Sequence, residues 1–309
     1  MTERKHPSLE ESIRDCYRTW SGRYYADYYD SAAAYPPVHV ELIRRALRAH
    51  GTRTLLDAGC GPASMLRDLR WPGLARWGFD LTPEMVDEAR RILADQDVPA
   101  DRIWLGSALH PSAFRAPSGA PTEGFDAAIC FGVLPHIPAD GDATILANLR
   151  DAVRPGGLVA VEARNSLFAL FTQNRYTAEF FRRELIRPER IAADDPGVAI
   201  PVARALEALE GHFRMDLPPK RGGYEDEAGY DEVLSRTHNP FELRAIAEAA
   251  GLVDVRVFFY HYHALPPMFE AALGPAFRAA SLAIEDPEDW RGHFMASAFV
   301  LAGKRQGGP

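Results

Sequence analysis

Cysteine is scarce in this chain of 309 residues: Cys16, Cys60 and Cys130 are the whole supply, far apart in sequence. Their spacing matches neither a disulfide framework nor a zinc site, so no bound metal is expected. Basic clusters are missing too. The 35 Lys and Arg stand against 43 Asp and Glu, a formal net charge of −8. A phosphate backbone calls for concentrated positive surface, so nucleic acid is not an expected partner. No apolar run approaches the length of a membrane span, and Met1–His6 is too polar for a secretory signal. A cytoplasmic location without a membrane partner is therefore expected. Disorder is excluded as well, since hydrophobic residues make up 47% of the chain and charged residues 25%, as in ordinary globular proteins.

What is present is organised around Leu55-Leu56-Asp57-Ala58-Gly59-Cys60-Gly61-Pro62-Ala63-Ser64. A short apolar run ends in an acidic residue, two glycines follow, and Pro62 opens a helix-compatible segment. This reads as buried strand, tight turn and helix start. The dinucleotide fingerprint G-x-G-x-x-G requires glycine at position 64, where Ser64 stands. A second strand, Arg76 to Asp80, ends about 20 residues past the glycines in an acid that suits two ribose hydroxyls. That logic serves NAD as well as an adenosine ligand of another kind. Further strands follow at Ile103–Ala108, Phe125–Val133 and Leu158–Ala163, each separated from the last by a helical pattern. Strand and helix alternating five times predict a doubly wound parallel sheet.

Asp57-x-Gly59-x-Gly61 with Ala63 in place of a further glycine resembles the first motif of class I S-adenosylmethionine (SAM)-dependent methyltransferases of the small-molecule type. Leu134-Pro135-His136-Ile137 after the fourth strand and Pro155-Gly156-Gly157 before the fifth are similar to two further segments of that family. The resemblance covers roughly residues 51–165 by motif and 239–304 by pattern. It implies a Rossmann-like sheet of seven strands in the order 3-2-1-4-5-7-6, with SAM as the cofactor. It further implies that Asp57 holds the amino group of the methionine part and that Gly59, Cys60 and Gly61 line the cofactor. Asp80 and Leu81 take the ribose, and Phe131, Gly132 and Val133 lie beside it. The family's acid after the third strand is replaced here by Ser107, next to Ala108, which leaves adenine recognition without its usual acceptor. A phenol-rich stretch, Tyr24 to Tyr29, precedes the core. It reads either as helix packing or as a flap that brings Tyr24 and Tyr28 over the cofactor.

The regular pattern breaks after the fifth strand. About 75 residues separate it from the helix that Asn239-Pro240 opens, far beyond an ordinary α/β connection. The domain map is accordingly N-terminal helices and flap at 1–50, core at 51–165, an inserted helical cap at 166–238, and core again at 239–304 with a second insertion at 264–292. Pro218–Gly223 and the acidic stretch Glu225–Glu232 read as exposed loop. Both insertions leave the carboxyl edge of the sheet, where they are expected to cover the acceptor side. Glu162, Arg164 and Asn165 end the fifth strand there, Arg175 and Tyr176 follow, and Tyr260, His261, His263 and His238 crowd the later part. Each reads either as an acceptor contact or as an anchor of the insertion. The expected reaction is methyl transfer to a small polar molecule, oxygen before nitrogen, with His136 as general base and Tyr176 and Glu162 as further candidates. His136 reads equally as a helix cap or an adenine contact. A SAM-consuming enzyme that uses the methionine arm and a non-catalytic SAM-binding protein are the alternatives, and a homodimer is left open.

Overall fold

A computed structural model describes residues 8–18, 20, 24–29, 37–186, 188–191, 193, 195–217 and 234–307. The Pro218–Gly223 loop and the Glu225–Glu232 stretch lie outside the described residues. A seven-stranded sheet organises the fold, in the order β3-β2-β1-β4-β5-β7-β6 that the resemblance implies. The strands are β1 Thr54–Ala58, β2 Ala75–Asp80, β3 Ile103–Leu105, β4 Phe125–Cys130, β5 Val153–Arg164, β6 Leu252–Tyr262 and β7 Ala296–Arg305. β1 pairs in parallel with β2 and β4, β2 with β3, and β4 with β5, whereas β7 runs antiparallel to β5. The central strands are mostly apolar because helices cover both faces. Leu55, Leu56, Ala127, Ala128, Ile129, Val159, Ala160 and Val161 are all buried.

The helices follow their capping signals. α1, Leu9–Arg18, opens on a capping box in which Ser8 N–H donates to Glu11 Oε2 (2.6 Å) and Glu11 N–H to Ser8 Oγ (3.3 Å). α2 spans Tyr24–Tyr28, and α3, Val38–His50, buries Val40, Ile43 and Leu47 before ending at left-handed Gly51. α4, Ser64–Asp68, is barely more than one turn, and α5 runs Pro83–Ala94 with Met85, Val86, Ala89 and Leu93 inward. Thr82 precedes α5 but makes no side-chain cap bond to it; its N–H and hydroxyl both serve Asp80. α6, Gly141–Ala152, leads straight into β5, so Pro155-Gly156-Gly157 sits inside that strand rather than before it. The pairing register with β4 shifts at this point, and left-handed Gly156 (φ 77°) absorbs the irregularity.

The chain divides into two compact units, one of Met1–Arg164, Lys220–Phe258 and Ala298–Pro309, the other of Asn165–Pro219 and Phe259–Ser297. The second unit joins the segments after β5 and within the β6–β7 connection. Its interior includes Leu167, Phe180, Phe259, Tyr262 and Phe277. Gly292 packs so closely on Phe259 and Tyr262 that a Cβ there would lie 2.4–2.5 Å from their atoms. Within the first unit, Arg236 ties the segment before the helix Pro240–Ala249 to the loop after β4. It donates to the Ile137 carbonyl and, at 2.6 Å, to buried Asp142.

Candidate active site

A pocket opens in the first unit at the carboxyl ends of β1, β2, β3 and β4. The turn after β1 needs glycine. Gly59 takes φ 81°, and a Cβ on it would lie 2.3 Å from Val133 Cγ2. Gly132 takes φ 71° with the Tyr24 hydroxyl 3.2 Å from where its Cβ would stand. Ala63, where the resembled motif has glycine, keeps the left-handed backbone at φ 60°.

Among the described residues, the side chains of Asp57 and Ser64 in this pocket have no hydrogen-bond partner. Asp57 is 1% exposed, and neither carboxylate oxygen receives a hydrogen bond from the described residues. Ser64 is 2% exposed with its hydroxyl equally unmatched. Burial, with neighbouring Asp80 adding to it, pushes the Asp57 carboxyl well above the usual carboxylate range. Asp80 is better served. Its oxygens accept from Gly61 N–H (2.9 Å) and Thr82 N–H (2.9 Å), which oppose the upward push of burial without cancelling it. A carboxylate offers about four lone-pair directions, so the Gly61 N–H and the two Thr82 donors leave room for a ribose hydroxyl. Cys60 is buried and its thiol is pushed up by that burial, which makes it inert lining.

His136 lines the same pocket but is 4% exposed. Its Nδ1 lies 2.7 Å from the Leu234 carbonyl and its Nε2 2.7 Å from the Tyr17 hydroxyl. A carbonyl only accepts, so Nδ1 carries the proton, and the neutral ring takes the Tyr17 proton at Nε2. Burial lowers the His136 pKa to about 4. The nitrogen expected to act as base is therefore already engaged by a phenol. Glu162 accepts from Gly132 N–H at 2.7 Å, and Arg164 donates to Ser235 Oγ. His238 is buried beside Asp142, and Arg236 donates to its Nε2 at 3.0 Å.

Of the thirteen expected cofactor residues, Tyr24, Asp57, Gly59, Cys60, Gly61, Asp80, Leu81, Ser107, Ala108, Phe131, Gly132 and Val133 line the pocket. Tyr28 does not. It is 44% exposed although its ring packs on Tyr24 with centroids 5.2 Å apart, and buried Tyr29 lines the pocket with Tyr24. The remaining expected acceptor residues belong to the second unit. There Asn165 caps the turn after β5 and donates its amide to the carbonyls of Gly292 (3.2 Å), His293 (2.8 Å) and Ala296 (2.8 Å). Arg175 lies over the Tyr176 ring and donates to its hydroxyl at 3.1 Å. Tyr260 and His263 are buried, and His263 packs on Phe168 and Phe277 with its pKa lowered by burial to about 4. His261 adopts φ 57°, which interrupts the side-chain alternation of an extended strand at that residue. Among the described residues no group of three or more His, Cys, Asp or Glu is placed to hold a metal ion.

Sequence reasoning missed Leu9, Glu10, Ile13 and Tyr17 of α1 as pocket residues. Glu10 Oε1 accepts from Ser107 Oγ at 2.6 Å, across 97 residues of chain. The i, i+3, i+7 spacing of residues 10, 13 and 17 was the available signal, since it puts an acid and a phenol on the apolar face that must be buried.

Residues 55–157 match the family model described as a methyltransferase domain. The ubiquinone biosynthesis O-methyltransferase of Xanthomonas axonopodis pv. citri (strain 306) is 29% identical over 167 residues, covering 51% of this chain and 66% of that protein. Its counterpart in Xanthomonas oryzae pv. oryzae (strain PXO99A) is 30% identical over 152 residues, 49% of this chain and 59% of that protein. The chain thus spans 66% and 59% of the length of these relatives, less than two thirds of either. Magnesium protoporphyrin IX methyltransferase (ChlM) from Synechocystis PCC 6803, solved with bound SAH, superimposes with a TM-score of 0.52 at 14% identity, covering 97% of this chain and 100% of that one. At that identity the likeness concerns the fold.

Proposed function

We propose that this chain is a class I SAM-dependent methyltransferase, as its methyltransferase domain and its sheet order support, and that it binds SAM in the β1–β4 pocket and methylates a small polar acceptor at oxygen. The observation that carries the reading is Asp57. A buried carboxylate with no hydrogen bond is costly, and a cationic donor relieves that cost. The α-ammonium of the methionine part is such a donor. Ser64 beside it offers a hydroxyl of the kind that suits the α-carboxylate. Asp80 keeps acceptor capacity for a ribose hydroxyl, and the glycine turn admits the ligand where a side chain would collide with Val133.

The cofactor supplies an electrophilic methyl on a sulfonium. The protein's own work is then to position the acceptor and accommodate the proton that an acceptor hydroxyl loses. The Tyr17 hydroxyl, held by His136 Nε2, is the polar group of this pair nearest that task. A proton arriving at Tyr17 displaces the phenol proton toward His136 Nε2. The low basicity of that ring delays the transfer until the new carbon–oxygen bond has acidified the hydroxyl. The names of both curated relatives favour oxygen over nitrogen as the acceptor atom. Sugars, cyclitols, amino acids and specialised metabolites are the acceptor classes to screen.

Titration calorimetry with SAM, S-adenosylhomocysteine and NAD tests the cofactor, and product analysis tests the reaction. Release of S-adenosylhomocysteine with a methylated acceptor supports the reading. Tighter NAD binding, or methylthioadenosine as the product, overturns it.

A further inference from the structure

We infer that Glu10, on α1, reads the adenine amino group of SAM, with Ser107 holding its carboxylate in place; the inference deepens the cofactor assignment above and rests on it. With the ribose at Asp80, the base lies toward β3, the next strand outward in the sheet. The wall on that side is an apolar slot of Leu9, Ile13, Leu81, Met85 and Ala108. Such a slot suits the faces of a flat heterocycle. Glu10 is the acid that lines the pocket beside Ser107. Its Oε1 accepts from Ser107 Oγ at 2.6 Å, while Oε2 receives no hydrogen bond from the described residues. A carboxylate accepts only, so a ligand that completes it must present an N–H or O–H donor. The exocyclic amine of adenine is that donor.

Three bonds fix the helix that delivers the acid. Residues 10, 14 and 17 share one face of α1, and each reaches the carboxyl edge of the sheet. Glu10 meets Ser107 after β3, Arg14 Nε donates to the Leu81 carbonyl after β2 at 3.2 Å, and Tyr17 meets His136 after β4. Leu109 N–H donates to Ser107 Oγ at 3.3 Å, so the hydroxyl is oriented from behind and points its own proton at Glu10. The acid missing after the third strand is therefore supplied from the N-terminal helix.

The test compares S-adenosylhomocysteine with its 6-oxo analogue, S-inosylhomocysteine, by titration calorimetry on the full chain. Wild type should prefer the amine by about 10–150-fold, the range expected for a hydrogen bond to a charged group. Glu10→Gln can turn its amide to donate to the 6-oxo group, so the preference should narrow to a few-fold. Should the Glu10 variants fail to fold, Ser107→Ala keeps the carboxylate but removes its hold, and the preference should fall part of the way. A preference in Glu10→Gln or Ser107→Ala equal to that of wild type overturns this inference alone. Wild type that binds neither nucleoside overturns it together with the cofactor assignment.

Discussion

Replacing Asp57 by asparagine should stabilise the ligand-free protein and cripple SAM binding, a pairing that few buried residues produce. The carboxylate is fully enclosed and unpaired, so its charged form is penalised and its pKa stands well above the usual range. The folded state therefore binds this proton more tightly than the unfolded chain, whose aspartate titrates near about 3.9. Stability is lost as pH rises from that value through the folded pKa, at about 1.4 kcal/mol per unit of displacement. Asparagine has no charge to desolvate, so its stability should be flat across the same window and its advantage should grow with pH. Its amide still lacks partners, which limits the gain to about 1–2 kcal/mol at neutral pH. In a chain of this size that corresponds to a rise in Tm of roughly 2–6 °C. Loss of the bonds to the ligand ammonium costs about 1.5–3 kcal/mol, or about 10–150-fold in Kd. Scanning calorimetry with and without SAM reads both effects at once: ligand at about a hundred times Kd adds about 2.7 kcal/mol to wild type and little to the variant. A variant less stable than wild type with SAM affinity unchanged refutes the reasoning.

Three further outcomes follow from the same geometry. His136 and His263 are each held near pKa 4 by burial, so the unfolded chain binds their protons first as pH falls below about 6.5; each should cost about 3 kcal/mol between pH 6.5 and 4, and denaturant titrations of His263→Phe should show a shallower acid slope. Gly59→Ala combines a left-handed backbone with a methyl 2.3 Å from Val133 Cγ2, and should lose about 2–4 kcal/mol, of which Val133→Ala recovers only the steric share. Tyr17→Phe should lower kcat by about 10²-fold on an oxygen acceptor with SAM affinity within a few-fold, and adding His136→Gln should cost little more; additive losses in the double variant would show that the pair does not work as a unit.

The features legible in the sequence share one property: they are local. Asp57, Gly59 and Gly61 announce a turn because backbone sterics at consecutive residues demand those side chains, and Asp80 follows one strand and one crossover later. The strand order came with the resemblance those motifs carry. What escaped was decided by residues far apart in the chain. Ser107 looked deficient beside its own neighbours, and only the fold brings Glu10 to it across 97 residues. His136 reads from sequence equally as a base or as a structural residue because its partners, Tyr17 and the Leu234 carbonyl, lie 119 and 98 residues away. Even the local misreading at Tyr28 has this origin. Tyrosines at adjacent positions 28 and 29 are alike to any pattern of hydrophobicity, and buried Tyr29 packs on His39 of α3 as well as on Tyr24 and Tyr25. The β1 turn marks the pocket proposed for SAM, whereas the proposed choice of base rests on α1, whose residues acquire meaning only once its face is laid against the ends of three strands. In a sheet whose carboxyl edge is common to many chemistries, specificity is written in the element that arrives from elsewhere.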